Sequence, residues 1–323
     1  MRMDREMIIL IAGVVAALAF ATVVGQLLSR LVRTESSKTV IANLNARIRG
    51  WWGMCAVFAA AMATGGIGSI ILFTLMSFMA LREFITLTPT RRADHRTLFW
   101  AFFIILPLQY YLVAIRWYGL FTVMIPVYAF LFIPTRGAIE EDPEAFLERT
   151  AKIQWGLMVC VYCLSHAPAL LMLNIPGYAG QNGKLLFFLV LIVEMSDVLQ
   201  YVFGKTLGRR KIAPVISPNK TQEGFVGGIA CATLIGAGLW WATPFNVWQA
   251  AALSFLISVL GFAGGLCMSA IKRDRGIKDF GSAIEGHGGM LDRIDSLCFA
   301  APIFFHMVCF FFTSRSRWRS YTK

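Results

Sequence analysis

Charged residues are scarce in this chain, and their scarcity indicates its class. Only 15% of its 323 residues are Asp, Glu, Lys or Arg, while 57% are hydrophobic. A soluble globular domain carries about 25% charged residues. The sequence also shows no internal repeat and no low-complexity tract. The composition therefore excludes an ordinary soluble domain and indicates an integral membrane protein that crosses the bilayer many times.

Residues typical of redox, zinc and hydrolytic sites are few as well. The chain has four His and seven Cys, and every Cys lies in an apolar stretch. Cys160 and Cys163 form a CxxC motif, but no second CxxC accompanies it to complete a zinc site. We therefore interpret both as packing residues. The polar residues described below also lack a Ser-His-Asp arrangement.

Acidic residues are outnumbered by basic ones. The chain has 30 Lys and Arg against 18 Asp and Glu, a formal net charge of +12. In a membrane protein such an excess is typical of cytoplasmic loops that face anionic lipid, and here it also suits anionic substrates. We therefore predict membrane lipid as a partner and no nucleic acid.

Long apolar runs predict the architecture. A spanning helix needs about 20 apolar residues, and ten segments qualify as candidates: 7–29, 51–64, 67–84, 97–115, 117–133, 153–173, 184–204, 224–243, 247–271 and 296–314. We predict an all-α polytopic protein with ten transmembrane helices, or nine if residues 64–66 kink one re-entrant segment. The first segment is long for a signal peptide, so we expect an uncleaved helix.

The distribution of Lys and Arg predicts the orientation. If alternate loops share one side, that side holds 22 of these residues, in 30–50, 82–96, 134–152, 205–223 and 272–295. The loops of the other side hold Arg116 and Lys184. The positive-inside rule then places the basic loops in the cytoplasm. The basic tail after residue 314 would lie outside, against the rule. The acidic loop within 134–152 is interpreted as a solvated face.

Residues 269–296 form a dense mixed-charge cluster between two apolar segments. The stretch reads SAIKRDRGIKDFGSAIEGHGGMLDRIDS. Cations suit phosphates, carboxylates suit Mg²⁺, and glycines allow backbone to approach a ligand. Asp292 and Asp295 stand three residues apart at the start of a helix, so we expect them to reach one ion together. The helix N-terminus would favour their charge, or that of a phosphate.

A second polar block spans residues 196–228. It contains Asp197 and follows Glu194, two carboxylates at membrane depth, where ionised groups usually face a polar cavity or a metal. The run Ser217-Pro218-Asn219-Lys220-Thr221 then leads into a helix. Pro and Asn predict a turn there, and Thr221 is a candidate N-cap. Lys220 near the helix start is placed to hold a phosphate.

These two blocks resemble the signatures of one enzyme family. The first has the pattern S-x-I-K-R-x4-K-D-x-G-x2-I-x-G-H-G-G-x-x-D-R-I-D, and the second matches D-x3-Y-x2-G-(R/K) followed by S-P-x-K-T-x-E-G. Both are similar to the phosphatidate cytidylyltransferases, or CDP-diacylglycerol synthases. The resemblance implies transfer of CMP from CTP to phosphatidate, with release of pyrophosphate. It also divides the chain into an N-terminal transmembrane region, 1–183, and a C-terminal catalytic region, 184–323.

The resemblance implies roles for particular residues. Metal ligands would be Asp197, Asp292 and Asp295. The substrate-binding residues would be Ser217, Lys220, Ser269, Gly288 and Gly289, and the catalytic ones Lys272, Arg273, Lys278, Asp279, His287 and Arg293. The implied cofactor is Mg²⁺ or Mn²⁺, with a monovalent cation as a further option, and a homodimer is an open option. The expected location is a bacterial inner membrane, with the active site on the cytoplasmic side.

Two departures from the family pattern bear on the substrate. Gly265 stands where many members carry a metal-binding Asp, and Glu285 stands where Pro is usual. An alternative is therefore a cytidylyltransferase or related phosphotransferase that acts on a different lipid phosphate. A CDP-alcohol phosphatidyltransferase would need a D-G-x2-A-R run, which is absent. A transporter would spread polar residues over several helices, whereas here two C-terminal blocks hold them.

Overall fold

The protein is an all-α bundle with one small β-hairpin. The computed structural model describes residues 5–31, 35–87, 90–281 and 288–313. Within these ranges the chain forms ten helical rods: α1 (Arg5–Leu31), α2 (Glu35–Ala63), α3 (Gly66–Thr86), α4 (Asp94–Ala114), α5 (Tyr118–Ala138), α6 (Phe146–Met172), α7 (Asn182–Thr206), α8 (Gln222–Gly238), α9 (Val247–Asp274) and α10 (Leu291–Phe312). Strands β1 (Lys211–Ala213) and β2 (Ser217–Thr221) lie between α7 and α8.

Eight of the described helices are long and apolar enough to cross a membrane, and they are α1, α3, α4, α5, α6, α7, α9 and α10. The all-α polytopic prediction is therefore confirmed. The two remaining predicted segments fall on α2 and α8, which are not among these eight. Helix α8 has only 17 residues. Helix α2 ends at Ala63 and α3 begins at Gly66, so residues 64–65 turn the chain between two helices.

Contacts between helices show their relative directions: α1 and α2 run antiparallel, whereas α1 and α7 begin at the same end of the bundle. The Trp52 indole donates to Thr22, and Gly25 lies against Asn45, so α2 returns along α1. Lys184 at the start of α7 pairs with Glu6 at the start of α1. Three of the rods contain π-helical segments, at Ala101–Ile105, Met124–Ala129 and Leu157–Cys163. These local widenings leave the rods continuous.

Small residues bring the last four helices close together. A Cβ at Gly228 of α8 would stand 2.6 Å from the backbone nitrogen of Gln200 in α7. A Cβ at Gly264 of α9 would stand 2.6 Å from the Asp295 carbonyl oxygen of α10. Only glycine allows backbone to approach at these distances. The polar residues of α7, α9 and α10 are therefore held next to one another at one end of the bundle.

The hairpin between α7 and α8 corrects one prediction. Pro218 and Asn219 lie in strand β2, and the turn is formed by residues 214–216. A two-stranded sheet has only edge strands, where the missing N–H of proline is tolerated. The N-cap prediction is confirmed, because the Thr221 hydroxyl accepts from the Gly224 N–H at 3.1 Å.

The acidic loop between α5 and α6 is more structured than a solvated face. Asp142 Oδ2 pairs with Arg149 at 2.7 Å and with Arg91 at 3.1 Å, and Glu140 pairs with Arg136 at 2.6 Å. The prediction therefore missed that basic residues of α5, of α6 and of the segment before α4 bind these carboxylates. Burial of Cys160, and of most of Cys163, agrees with their interpretation as packing residues, and both are free thiols.

One hydrophobic core joins the two predicted regions of the chain. Phe73, Leu81 and Leu157 from the N-terminal region pack in the same buried cluster as Leu189 and Phe304 from the C-terminal region. The division at residue 183 stays a prediction about function, because the packing is continuous across it. The polar end of α7, α9 and α10 therefore rests on a core built from both halves.

Candidate active site

Asp292 and Lys272 form a buried ion pair at this polar end of the bundle. Lys272 Nζ lies 2.8 Å from Asp292 Oδ1, and Asp292 is 7% exposed. Asp292 Oδ2 accepts the N–H of Phe280 at 2.7 Å and that of Gly289 at 3.0 Å. Because three donors already engage this carboxylate, its charge is balanced by the protein itself. Asp292 thus links the end of α9, the following loop and the start of α10.

The two glycines of the loop pack against the protein's own carboxylates. Gly288 has a positive φ of 81°, and a Cβ there would stand 2.8 Å from Asp292 Oδ2. A Cβ at Gly289 would stand 2.5 Å from Glu83 Oε2 of α3. Both the backbone conformation and the close approach require glycine at 288. Room for the Asp292 and Glu83 carboxylates therefore explains both glycines without a ligand.

Glu83 is a site residue that the sequence analysis missed. Its carboxylate accepts the N–H of Met290 at 2.9 Å and that of Leu291 at 2.8 Å, at the start of α10. These N–H groups were expected to be available to a phosphate, and the protein already uses them. The available signal was a carboxylate beside Arg82 at the end of an apolar segment.

A second group of charges lies between α7 and α10. Asp197 and Asp295 are partly buried and close enough for each to feel the charge of the other. Lys220 of strand β2 lies close enough to both carboxylates for their charges to act on its ammonium. Burial lowers the pKa of Lys220, and the charges of Asp197 and Asp295 oppose that shift. The Lys220 ammonium also lies 4.5 Å from the Phe262 ring centroid and donates to the Phe262 carbonyl at 3.3 Å.

Three cations from three elements lie close enough to Asp295 for their charges to act on it. The charges of Lys272 from α9, Lys220 from β2 and Arg293 from α10 all act on its carboxylate. Arg293 Nε is buried and has no hydrogen-bond partner among the described residues. An unpaired buried donor of a charged group is costly, so this guanidinium is ready to accept an anion. The group therefore combines two carboxylates with three cations, one of which has a buried N–H without a partner among the described residues.

Gly265 opens onto the same group. A Cβ there would stand 2.9 Å from Lys220 Nζ, 3.6 Å from Ser296 Oγ and 3.9 Å from Asp295 Oδ2. The position where a metal-binding Asp is usual in the resembling family thus faces Lys220 and Asp295. Position 265 itself carries no carboxylate in this chain, and Asp295 is the acidic side chain whose oxygen lies within 3.9 Å of that Cβ position.

A family model described as the cytidylyltransferase family matches residues 45–311 of the chain. The match covers most of the sequence, including both polar blocks and α3. The chain belongs to the cytidylyltransferase family. The recognition made from the two sequence blocks is thereby confirmed.

Several curated proteins are similar to this family member. The uncharacterised protein YnbB of Escherichia coli (strain K12) is 40% identical over 302 residues, 92% of this chain and 97% of that protein. The phosphatidate cytidylyltransferase of Staphylococcus haemolyticus is 35% identical over 157 residues, 47% of this chain and 60% of the relative. That of Staphylococcus aureus (strain COL) is 42% identical over 120 residues, 36% of this chain and 46% of the relative. The similarity to proteins of that name therefore covers only part of each chain.

Other predicted site residues of this family member bind backbone. Arg273 donates from Nε to the Ile216 carbonyl at 3.2 Å and from a terminal nitrogen to the Ile277 carbonyl at 2.9 Å. It thereby fastens the hairpin turn to the end of α9. The Ser269 hydroxyl donates to the Gly265 carbonyl of its own helix at 2.6 Å. Neither contact requires a ligand.

The remaining predicted residues lie around the group or outside the described ranges. Lys278 and Asp279 are exposed in the loop after α9, and Ser217 is partly buried at the start of β2. His287 lies outside the described residues. In the described part of the chain, no group of three or more His, Cys, Asp or Glu is placed to hold a metal ion. The predicted trio of Asp197, Asp292 and Asp295 is thus split: Asp292 binds Lys272, while the other two face each other.

Proposed function

We propose that the protein transfers the cytidylyl group of CTP to phosphatidate, giving CDP-diacylglycerol and pyrophosphate. The observation that carries this proposal is the grouping of Lys220, Lys272 and Arg293 near the carboxylates of Asp295 and Asp197, with Arg293 Nε buried and unpartnered among the described residues. A triphosphate and a lipid phosphate are both polyanions, and a wall of cations with one unpaired guanidinium nitrogen suits them. Membership of the cytidylyltransferase family supports the use of CTP.

The reaction needs little acid–base chemistry from the protein. A phosphate oxygen of the lipid attacks the α-phosphorus of CTP, and a new P–O bond forms. The bond from the α-phosphorus to the bridging oxygen breaks, and pyrophosphate leaves with the electron pair. Because the nucleophile is already an anion, alignment and charge neutralisation supply most of the catalysis. This is consistent with a site rich in cations and carboxylates.

We assign the phosphate contacts to the cations that the protein leaves least engaged. Arg293 has a buried nitrogen without a partner in the described chain, and among the same residues the Lys220 ammonium makes one hydrogen bond, to a carbonyl, and one ring contact. These two would hold the phosphates of CTP. Lys272 would act mainly through Asp292, fixing the start of α10. Exposed Lys278, together with Ser217, would contact the nucleotide at the rim.

The donor set fits one divalent cation between α7 and α10. Mg²⁺ is usually held by one or two carboxylates together with substrate phosphates, and Asp197 and Asp295 provide two carboxylates from facing helices. Asp292 would contribute indirectly because its oxygens are engaged by Lys272 and two N–H groups. When bound, Mg²⁺ or Mn²⁺ would neutralise charge on the phosphates. Asp197 and Asp295 would orient it, and Lys220 would balance their charge before substrate arrives.

The site would face the cytoplasm, where CTP is made available to the enzyme. Described residues of three basic loops meet at the end of the bundle that carries the site, since Glu83 binds Met290 and Leu291 and Arg273 binds Ile216. The positive-inside rule assigns that end to the cytoplasm. The curated relatives come from bacteria, so we propose the bacterial inner membrane. Partial exposure of Asp197 and Asp295 would leave the group open to a lipid headgroup at the membrane surface.

The experiment that tests the proposal measures pyrophosphate release by the purified full chain in detergent micelles. CTP is supplied with phosphatidate, with a polyprenyl phosphate or without lipid. We expect release only with CTP and phosphatidate, and none after excess EDTA. Release with polyprenyl phosphate alone would move the substrate to another lipid phosphate. Release without any lipid, or undiminished release in EDTA, would contradict the proposal.

A further inference from the structure

Glu83 binds the start of α10 from a helix that belongs to the N-terminal half of the chain. Its two carboxylate oxygens accept the N–H groups of Met290 and Leu291, at 2.9 and 2.8 Å. The first N–H groups of a helix have no acceptor within that helix. A carboxylate is well suited to them because the helix dipole favours negative charge at its N-terminus. Glu83 therefore caps α10 across a sequence separation of 207 residues.

The loop is shaped around this carboxylate from two sides. A Cβ at Gly281 would stand 2.9 Å from Glu83 Oε1, and a Cβ at Gly289 would stand 2.5 Å from Glu83 Oε2. A side chain at either position would displace the carboxylate or the loop. The absence of side chains at these two glycines therefore leaves room for the Glu83 carboxylate.

The position of the α10 start governs the charges of the site. Asp292 lies in the first turn of α10 and pairs with Lys272 of α9, while Asp295 lies one turn further and faces Lys220. A shift of the helix start would move both carboxylates relative to α9 and β2 together. Geometry at this level matters, since a displacement of about 1 Å can cost about 100-fold in rate.

We infer that Glu83 is a positioning residue for the proposed reaction: it holds the start of α10 so that Asp292 and Asp295 meet their cations. The catalytic part of this inference rests on the proposed function. The physical part, that Glu83 holds the helix start, does not. Glu83 acts through the N–H groups of Met290 and Leu291.

The test compares three variants of the full chain in detergent micelles. Glu83→Gln keeps one acceptor oxygen and sets an amide NH₂ against a backbone N–H. Glu83→Asp keeps the carboxylate on a shorter side chain. Glu141→Gln is the matched control, because Glu141 is exposed in the loop between α5 and α6. Steady-state kinetics with CTP and phosphatidate are measured beside amide hydrogen exchange over residues 288–296.

We expect Glu83→Gln to lower kcat by about 10- to 100-fold, while KM for CTP changes by less than about threefold. Glu83→Asp should recover part of the loss, and the control should match the wild type. Exchange should rise in Glu83→Gln at residues 288–296 and stay unchanged in the other helices. Exchange faster throughout the protein would show a general stabilising role and overturn the inference.

Other outcomes are also decisive. A kcat of Glu83→Gln within about twofold of wild type, or an Asp variant no better than the Gln variant, would overturn the catalytic part. If the wild type itself releases no pyrophosphate, the proposed function fails. Hydrogen exchange then still tests whether Glu83 holds the start of α10. Locally faster exchange would then support its hold on α10, and unchanged exchange would refute it.

Discussion

Replacement of Asp292 by Asn would leave Lys272 buried beside a neutral amide. The wild-type carboxylate accepts Lys272 Nζ at 2.8 Å through one oxygen and two backbone N–H groups through the other. Asn can keep the two N–H contacts through its single oxygen, but its NH₂ group then faces the ammonium. Asn therefore preserves the shape of the site and removes the partner of a buried charge.

The expected effect is large. Breaking a buried ion pair by removing one partner costs about 3–5 kcal/mol. If that cost fell entirely on the transition state, it would correspond to a loss of about 100- to 5,000-fold in kcat/KM. Part of it should instead lower the stability of the folded protein. We expect Asp292→Asn to insert and purify, to melt at a lower temperature, and to lose at least about 99% of its turnover.

A second variant separates the two parts of the effect. Lys272→Met combined with Asp292→Asn removes both charges, so no buried charge remains unpaired. Its melting temperature should recover towards wild type, while pyrophosphate release should stay low because the start of α10 has lost its link to α9. Near-normal turnover and melting temperature in Asp292→Asn alone would refute the reasoning, since the ion pair would then support neither stability nor activity.

Three further predictions concern other residues. Lys220→Met should raise KM for CTP by about 10- to 100-fold through the loss of one charge-assisted phosphate contact, while exposed Lys211→Met should not, as steady-state kinetics will show. Asp197→Asn should raise the Mg²⁺ concentration needed for half-maximal rate, and a metal titration that overlays wild type would reduce Asp197 to a buried hydrogen-bonding residue. Asp142 pairs with Arg149, whose hydrogen bond lowers the Asp142 pKa, so the stability that this pair adds is present above the unfolded-state pKa and is lost as pH falls through the lowered folded value. Melting temperatures of wild type and Asp142→Asn should therefore differ at neutral pH and converge in acid; curves that stay parallel would contradict this.

The sequence predicted best what depends on neighbouring residues. Runs of apolar residues predicted the place of all ten helices, although the polar first half of α2 and the first turns of α6 were missed, and eight of the ten described helices are long and apolar enough to span a membrane. Apolar runs indicate helices because each run must satisfy its own backbone groups in a membrane. Thr221 was predicted as an N-cap because an N-cap side chain bonds a backbone N–H only two or three residues further along the chain. Lys272 and Asp292 lie in one sequence block, so their proximity in space could also be predicted.

Contacts between distant segments were not predictable in the same way. Glu83 and Met290 are 207 residues apart, and nothing in the local pattern of either segment indicates the other. The expectation that Asp292 and Asp295 share one ion considered only their spacing on a helix. It could not include Lys272 and two backbone N–H groups as competing partners for Asp292. Pro218 was assigned to a turn because its preference for turns is local, whereas its place in β2 depends on pairing with β1.

The most direct test of the proposed function follows the α-phosphorus of CTP. The purified protein is incubated with phosphatidate and Mg²⁺, in one reaction with CTP labelled at the α-phosphate and in a parallel one with CTP labelled at the γ-phosphate. Lipids are then extracted and separated. Cytidylyl transfer predicts that α-label enters a lipid that comigrates with CDP-diacylglycerol, while γ-label stays in water-soluble pyrophosphate. Label from the γ-phosphate in the lipid would indicate a kinase, and absence of both labels from the lipid would contradict the proposed transfer to phosphatidate.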